Sequence, residues 1–274
     1  MKIKNQHALL AYFLIAFVFT WSFHFSIDFL GYTFVMDLSS PSMALYLVGL
    51  MGPLVAGIVV SALLSGGPGV RSLLAQGVKW HFALRWYLVA ILAIPSINLL
   101  NIAIFHDSVP ANMGWLVIVP VLIFGQIWVV IAEEFGWRGF ALPRLQNRFG
   151  SLGATLILGP IWALWHLPMF FTQGSPQYSE NVLASLAMYA IIMCFISIIL
   201  TMLYNRSGGS VLACMLFHAF LNIAAFTVQV PPDVNITFYL IAAFALASIW
   251  FLDRPLFGGA AGGDQRNTAW TNSG

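Results

Sequence analysis

Charge is what this chain lacks most. Of its 274 residues only 7% are charged while 60% are hydrophobic, against roughly 25% charged and about 45–50% apolar in a soluble domain. That scarcity excludes a soluble globular protein. Apolar stretches long enough to cross a bilayer, about 20 residues each, recur between Ala8 and Leu252, so lipid is the main solvent. Cysteine is nearly absent as well: Cys194 and Cys214 both lie inside apolar runs and form no C-x-x-C pair, which argues against a disulfide framework or a thiolate metal site and leaves lipid-buried thiols. Basic clusters are missing too. The 11 Lys and Arg residues are scattered singly and the net charge is +2, which excludes a nucleic-acid partner.

What is present is a succession of apolar segments. Eight are long enough to span: residues 8–30, 41–64, 84–105, 114–142, 152–171, 182–204, 209–228 and 236–252. Backbone groups in lipid must be satisfied within their own segment, and these lengths do not suit the short alternating strands of a barrel, so the fold is an all-α polytopic helical bundle. Lys and Arg prefer the cytoplasmic side of short loops. With the N-terminus inside, every Lys and Arg falls on or near the cytoplasmic face, and the opposite loops carry Asp28, Asp37, Asp107, Glu180 and Asp233 with no basic residue. That pattern predicts an even number of spans with both termini cytoplasmic. Residues 66–85 mix apolar and basic positions and read either as an interfacial amphipathic helix or as a loop with anchoring aromatics. Residues 258–274 have no apolar period and read as a disordered polar tail beyond a membrane domain at 1–257.

An ionisable residue near the centre of a span costs about 2.5–3.5 kcal/mol for Asp, Lys or Arg, so each one marks a feature. Glu133 and Glu134 close the apolar run of the fourth span, with Arg138 beyond them. His166 lies in the fifth span and His218 and Asn222 in the seventh. Residues i and i+4 of a helix share a face whereas neighbours diverge by about 100°. Glu134 can therefore pair with Arg138, while Glu133 points elsewhere and is free to meet another helix or a water. His218 and Asn222 share a face and can both donate toward a point between helices, which a developing oxyanion requires. His166 precedes Pro168, which withholds a backbone bond from the Leu164 carbonyl and predicts a kinked, locally polar turn. Singly, each has a plainer reading: carboxylates snorkelling to the interface beside Arg138, hydrogen-bonded glue between helices, a packed histidine. Together, a free carboxylate, two histidines and an asparagine on three spans can activate water and bind an oxyanion, as amide hydrolysis requires. A proton-coupled transporter would use the same residue types.

The stretch from Glu133 to Leu145, EEFGWRGFALPRL, resembles the E-E-x-x-x-R motif of the CAAX protease and bacteriocin-processing family, also called the ABI or Rce1-like family. Trp162-Ala-Leu-Trp-His166 resembles its F-x-x-x-H motif with Trp162 at the Phe position, and His218-Ala-Phe-Leu-Asn222 its H-x-x-x-N motif. The resemblance covers a core at residues 114–228. It implies a glutamate-dependent intramembrane endopeptidase of the CAAX prenyl protease 2 type. Glu133 would activate water, His166 would hold and polarise it, and His218 with Asn222 would stabilise the oxyanion. Glu134 and Arg138 would form the supporting ion pair. Trp162, Trp137 and Trp165 flank this site and are candidates for a substrate groove, and the departure at Trp162 is expected to touch packing alone.

Members of the family are often labelled metalloproteases, but no H-E-x-x-H occurs here, the pattern that puts two ligands and a base on one helix. No cofactor is expected; Glu133, His166 and His218 are the alternative ligand set for a divalent ion such as zinc. Their depths are in tension, because at about 1.5 Å per residue His166 lies deep in its span while Glu133 ends its own. Either the fourth helix continues inside the protein through Leu142 or the fifth begins outside the bilayer, and a cavity in the cytoplasmic half is expected. The partners implied are the bilayer and a hydrophobic or lipid-modified peptide cut near the cytoplasmic face, in what short loops suggest is a bacterial plasma membrane. A non-catalytic immunity or scaffold protein, and the transporter, are the competing readings.

Overall fold

The computed structural model describes residues 7–105, 115–227 and 237–252. The polar tail, the basic residues of both termini, and His106, Asp107 and Asp233 lie outside them, as do the outer ends of the fourth, seventh and eighth apolar segments. Among the described residues the chain is all-helical, with no strand: α1 (Ala8–Phe29), α2 (Pro41–Leu50), α3 (Gly52–Ala75), α4 (Leu84–Phe105), α5 (Trp115–Glu134), a π-helical segment (Phe135–Ala141), α6 (Leu142–Trp165), α7 (Leu167–Phe171), α8 (Val182–Arg206), α9 (Val211–Thr227) and α10 (Thr237–Leu252). Three helical stretches, Ala8–Phe29, Pro41–Val78 and Val182–Arg206, are long and apolar enough to cross a membrane, and shorter apolar helices accompany them.

Eight uninterrupted segments become ten helices here because two of them break where proline withholds an N–H. In the second, Pro53 cannot bond the Gly49 carbonyl, and Thr20 Oγ1 on α1 donates to that oxygen at 2.7 Å instead; the chain turns at Met51 between α2 and α3. In the fifth, Pro168 has no N–H for the Leu164 carbonyl, and α6 stops at Trp165. Between the fourth and fifth segments the expected loop is instead helical to Phe149, and Gly150 takes φ +70° before the helix resumes, a left-handed backbone that glycine adopts without steric cost. Residues 66–85 follow the helical alternative as far as Ala75 and close on a 3₁₀ turn at Gln76–Val78.

Buried positions on α1 are Ala8, Tyr12, Ala16, Thr20, His24 and Ile27, a single stripe at helical spacing that faces α2, α3 and the π segment, while the rest of the helix is apolar toward lipid. Without a hydrophobic drive between lipid-solvated helices, close packing of small residues holds such bundles together. One such close approach is Gly159 of α6, where an added Cβ would stand 2.7 Å from the Cys194 Cα and 2.9 Å from its backbone nitrogen on α8. Both cysteines are free thiols, and Cys214 is buried in protein rather than in lipid.

Polar contacts between connections mark the two ends of the bundle. At one end Lys79 Nζ donates to Gly208 O at 3.2 Å, Tyr204 OH to Gln76 Oε1 at 2.9 Å and Gln146 to Asn205 at 3.0 Å. At the other, Thr172 Oγ1 donates to Asp28 Oδ2 at 2.6 Å and Phe34 N to Gln173 O at 2.8 Å. All Lys and Arg among the described residues except Arg138 belong to the first end. A Gly159→Ala substitution is expected to destabilise the bundle by about 1–3 kcal/mol by overpacking, seen as a lower midpoint of thermal unfolding in detergent; Gly67→Ala, which meets nothing within 4 Å, should leave the midpoint unchanged or higher.

Candidate functional site

The site begins with a helix that does not end. α5 passes without interruption into the π-helical segment Phe135–Ala141, and residues 132–142 are buried throughout. The fourth helix therefore runs on inside the protein, which resolves the depth tension. The i→i+5 register of a π segment shifts side chains around the axis and recurs at functional sites. Gly136 allows this turn to approach α3: a Cβ there would lie 2.5 Å from the Pro53 carbonyl oxygen.

Glu133, Glu134, Arg138 and His218 are all buried, so their charges must be answered inside the protein. Arg138 Nη1 donates to Glu134 Oε1 at 3.1 Å and Nη2 to Ser197 Oγ on α8 at 3.3 Å. The same Glu134 oxygen receives His218 Nδ1 from α9 at 2.8 Å. Arg138 also lies over the Trp162 ring, 4.2 Å from its centroid, a cation–π contact that strengthens when desolvated. Trp162 Nε1 in turn donates to Glu133 Oε2 at 2.7 Å. The departure at position 162 thus reaches the carboxylate itself and corrects the expectation that only packing is touched: phenylalanine has no N–H to give.

His166 occupies the break between α6 and α7. Its backbone N–H bonds Ala163 O at 3.0 Å rather than Trp162 O, and its own Nδ1 takes the Trp162 carbonyl at 2.9 Å. A carbonyl only accepts, so Nδ1 carries the proton and Nε2 offers a lone pair. Tyr189 packs edge-on against the ring, with centroids 5.3 Å apart. Asn222 Nδ2 donates to Gln126 Oε1 at 2.7 Å. Gln126 was not singled out from the sequence. Its signal is a lone amide in the apolar run of α5, seven residues before Glu133 and so on the same face.

Glu133, Trp162, His166, His218, Asn222, Gln126 and Tyr189 all line one cavity of about 760 Å³. Trp137 and Trp165 do not. They are fully buried on the α1 side, where Trp137 meets Tyr12 at 5.7 Å between ring centroids and Trp165 Nε1 donates to Thr20 Oγ1 at 2.8 Å, so their assignment to a substrate groove is corrected: on these helices they face core. From Glu133 the cavity runs to Phe34, Met36, Leu38, Pro176 and Gln177, at the end of the bundle that carries Asp28, Asp37 and Glu180. Toward the basic end, Leu54, Val130, Phe135, Val211 and Met215 form a packed apolar cluster. Among the described residues no three of His, Cys, Asp and Glu come together closely enough to hold a metal ion, so Glu133, His166 and His218 do not fit one as placed.

Residues 113–224 match the family model described as Type II CAAX prenyl endopeptidase Rce1-like. The matched stretch contains every polar residue that lines the inner cavity from α5, α6 and α9. The chain is also 26% identical, over 90% of its own length and 94% of the relative's, to the CAAX prenyl protease 2 of Methanococcus maripaludis. The paired glutamates, arginine, histidines and asparagine drawn to one place by three helices all lie in the stretch over which the chain is similar to the Rce1-like CAAX prenyl endopeptidases.

Proposed function

We propose that the chain is an intramembrane endopeptidase that cleaves a hydrophobic or lipid-modified peptide with a water activated by Glu133. The observation that carries this reading is that Glu133, His166, His218 and Asn222, from three different apolar segments, line the same cavity. Their partners suit their roles. Trp162 fixes one oxygen of Glu133 and leaves the other to take a proton from water. His166, protonated on Nδ1, accepts the second water hydrogen on Nε2. As the hydroxyl oxygen bonds to the scissile carbon, the carbonyl π pair moves to oxygen. Asn222 donates to that oxyanion through an amide hydrogen that Gln126 does not take. His218 donates through Nε2 as the imidazolium, because its Nδ1–H already serves Glu134. When the C–N bond breaks, Glu133 returns its proton to the departing amine.

The chemistry is supplied by protein groups alone in this proposal, with eight crossings and both termini in the cytoplasm of a cell membrane as its topology. The relative is named for a prenyl substrate, and the apolar walls of the cavity, among them Leu47, Val129 and Met193, suit such a chain or an aliphatic peptide side chain equally.

Glu133→Gln is expected to lower kcat about 10²–10⁴-fold, the usual worth of a positioned general base, with the unfolding midpoint unchanged. Glu134→Gln should lose stability as well, since removing one partner of a buried ion pair costs about 3–5 kcal/mol. Equal effects of the two substitutions in both assays would overturn the division of roles. Trp162→Phe removes only the indole N–H, worth about 1.5–3 kcal/mol to a charged acceptor, and is expected to lower kcat more than it alters KM. Exhaustive chelation should leave peptide hydrolysis by the purified protein intact; activity restored only by added zinc would contradict the metal-free scheme.

A further inference from the structure

A second cavity, of about 610 Å³, is lined by none of the residues assigned to hydrolysis. Its walls come from α3, the 3₁₀ turn beyond it, the π segment, the first turn of α6 and Tyr204 of α8. A break in α3 shapes it. Gly66 takes φ +63° inside that helix and Pro68 follows; at Gly69 a Cβ would stand 2.5 Å from the Ser61 carbonyl oxygen, so glycine lets the two halves close on each other. Ser61, Ser65 and Ser72 of α3 line the cavity, and among the described residues no protein group bonds their hydroxyls. Two cations share the wall with them. The Arg144 guanidinium is held over the Phe140 ring, 3.7 Å from its centroid, and Nη1 donates to Phe140 O at 2.8 Å. Lys79 Nζ donates to Gly208 O at 3.2 Å. Neither meets a carboxylate among the described residues, and no Asp or Glu lines the cavity.

We propose that this cavity is a second ligand site and that it binds a phosphate group. Arg144 and Lys79 each spend one N–H on a backbone carbonyl and keep the others to donate. The carbonyl bonds and the ring beneath Arg144 fix both heads in place, so a ligand meets donors already oriented. Two positive charges on one partly buried wall repel each other, and an anion between them removes that repulsion. The donors converge from α3, from the turn after it and from α6. That spread suits a tetrahedral anion with three or more oxygens better than a planar carboxylate, which presents two. The volume lies within the range of about 300–1,000 Å³ usual for small-molecule sites, and Leu64, Pro68 and Leu73 on the same wall suit an apolar portion of the bearer. Basic pockets between membrane helices take phospholipid head groups, and a soluble phosphate presents the same oxygens. The proposal stands apart from the endopeptidase reading, since it concerns neither Glu133 nor its cavity.

The test follows the midpoint of thermal unfolding of the full-length protein in a neutral detergent. Three additions are compared: inorganic phosphate, micelles doped with dioleoyl phosphatidylglycerol, and micelles doped equally with dioleoylglycerol, which lacks the phosphate. At a hundredfold excess over its dissociation constant a bound ligand should raise the midpoint by about 5–10 °C. A rise with inorganic phosphate supports the site with a soluble source, and a rise with phosphatidylglycerol alone supports it with a lipid head group. No rise with either, or an equal rise with dioleoylglycerol, overturns the proposal. Lys79→Gln and Arg144→Gln should each lose most of the shift. Arg148→Gln should keep it, because Arg148 is exposed beside Phe149 and lies outside the cavity; an equal loss there would assign the effect to diffuse surface charge and overturn the site. Lys79 is exposed, so its variant remains readable even where Arg144→Gln fails to fold, and a shift kept in full by Lys79→Gln overturns the proposal. The readout is binding, so it holds equally for a chain that cuts no peptide.

Discussion

One carboxylate oxygen organises the site. Oε1 of Glu134 is buried and receives both the Arg138 guanidinium from its own helix and the His218 imidazole from α9. Out of water an unanswered carboxylate is too costly to keep, so the fold must bring both donors to it. That requirement fixes the rotation of α9 against the π segment and, through the second guanidinium nitrogen, the position of α8 at Ser197. Arg138 over Trp162 sets that indole, and the indole N–H sets Glu133. The carboxylate assigned to chemistry is thus held by a chain of contacts whose root is the carboxylate assigned to structure.

The breaks in the bundle serve the same end. Where Pro53 leaves the Gly49 carbonyl unbonded, Thr20 takes it and α1 is drawn against α2; where Pro168 interrupts the fifth segment, His166 turns its ring back onto Trp162 O and offers its other nitrogen to the cavity. Proline in a lipid-solvated helix is tolerated when side chains satisfy the freed carbonyls, and here the side chains that do so lie in or beside the site. The cavity walls are consequently built from helix ends and kinks rather than from smooth helix faces.

Much of this could be read from residue spacing alone. The Glu134–Arg138 pair follows from i,i+4 geometry, the all-helical bundle from the length of the apolar runs, and the kink at His166 from Pro168. Other features escaped because spacing states which residues share a face and not which helix that face meets. Trp137 and Trp165 adjoin site residues in sequence yet pack on Tyr12 and Thr20 of α1. Spacing puts His218 beside Asn222 as a donor toward a point between helices, and does not tell that Glu134 engages its Nδ1. Gln126 passes as a solitary polar residue until Asn222 is found opposite it. Residues of the α1–α2 and α7–α8 connections also line the cavity, and no periodicity encodes that.

Direct attack by water inside the cavity is the centre of the account, and single-turnover cleavage of an apolar peptide in heavy-oxygen water tests it most directly. Mass spectrometry of both product and protein should find the label in the new carboxyl terminus and the protein at its unmodified mass throughout the turnover. A transient acyl adduct on the chain, trapped by quenching and mapped to a serine, threonine or cysteine, would contradict it.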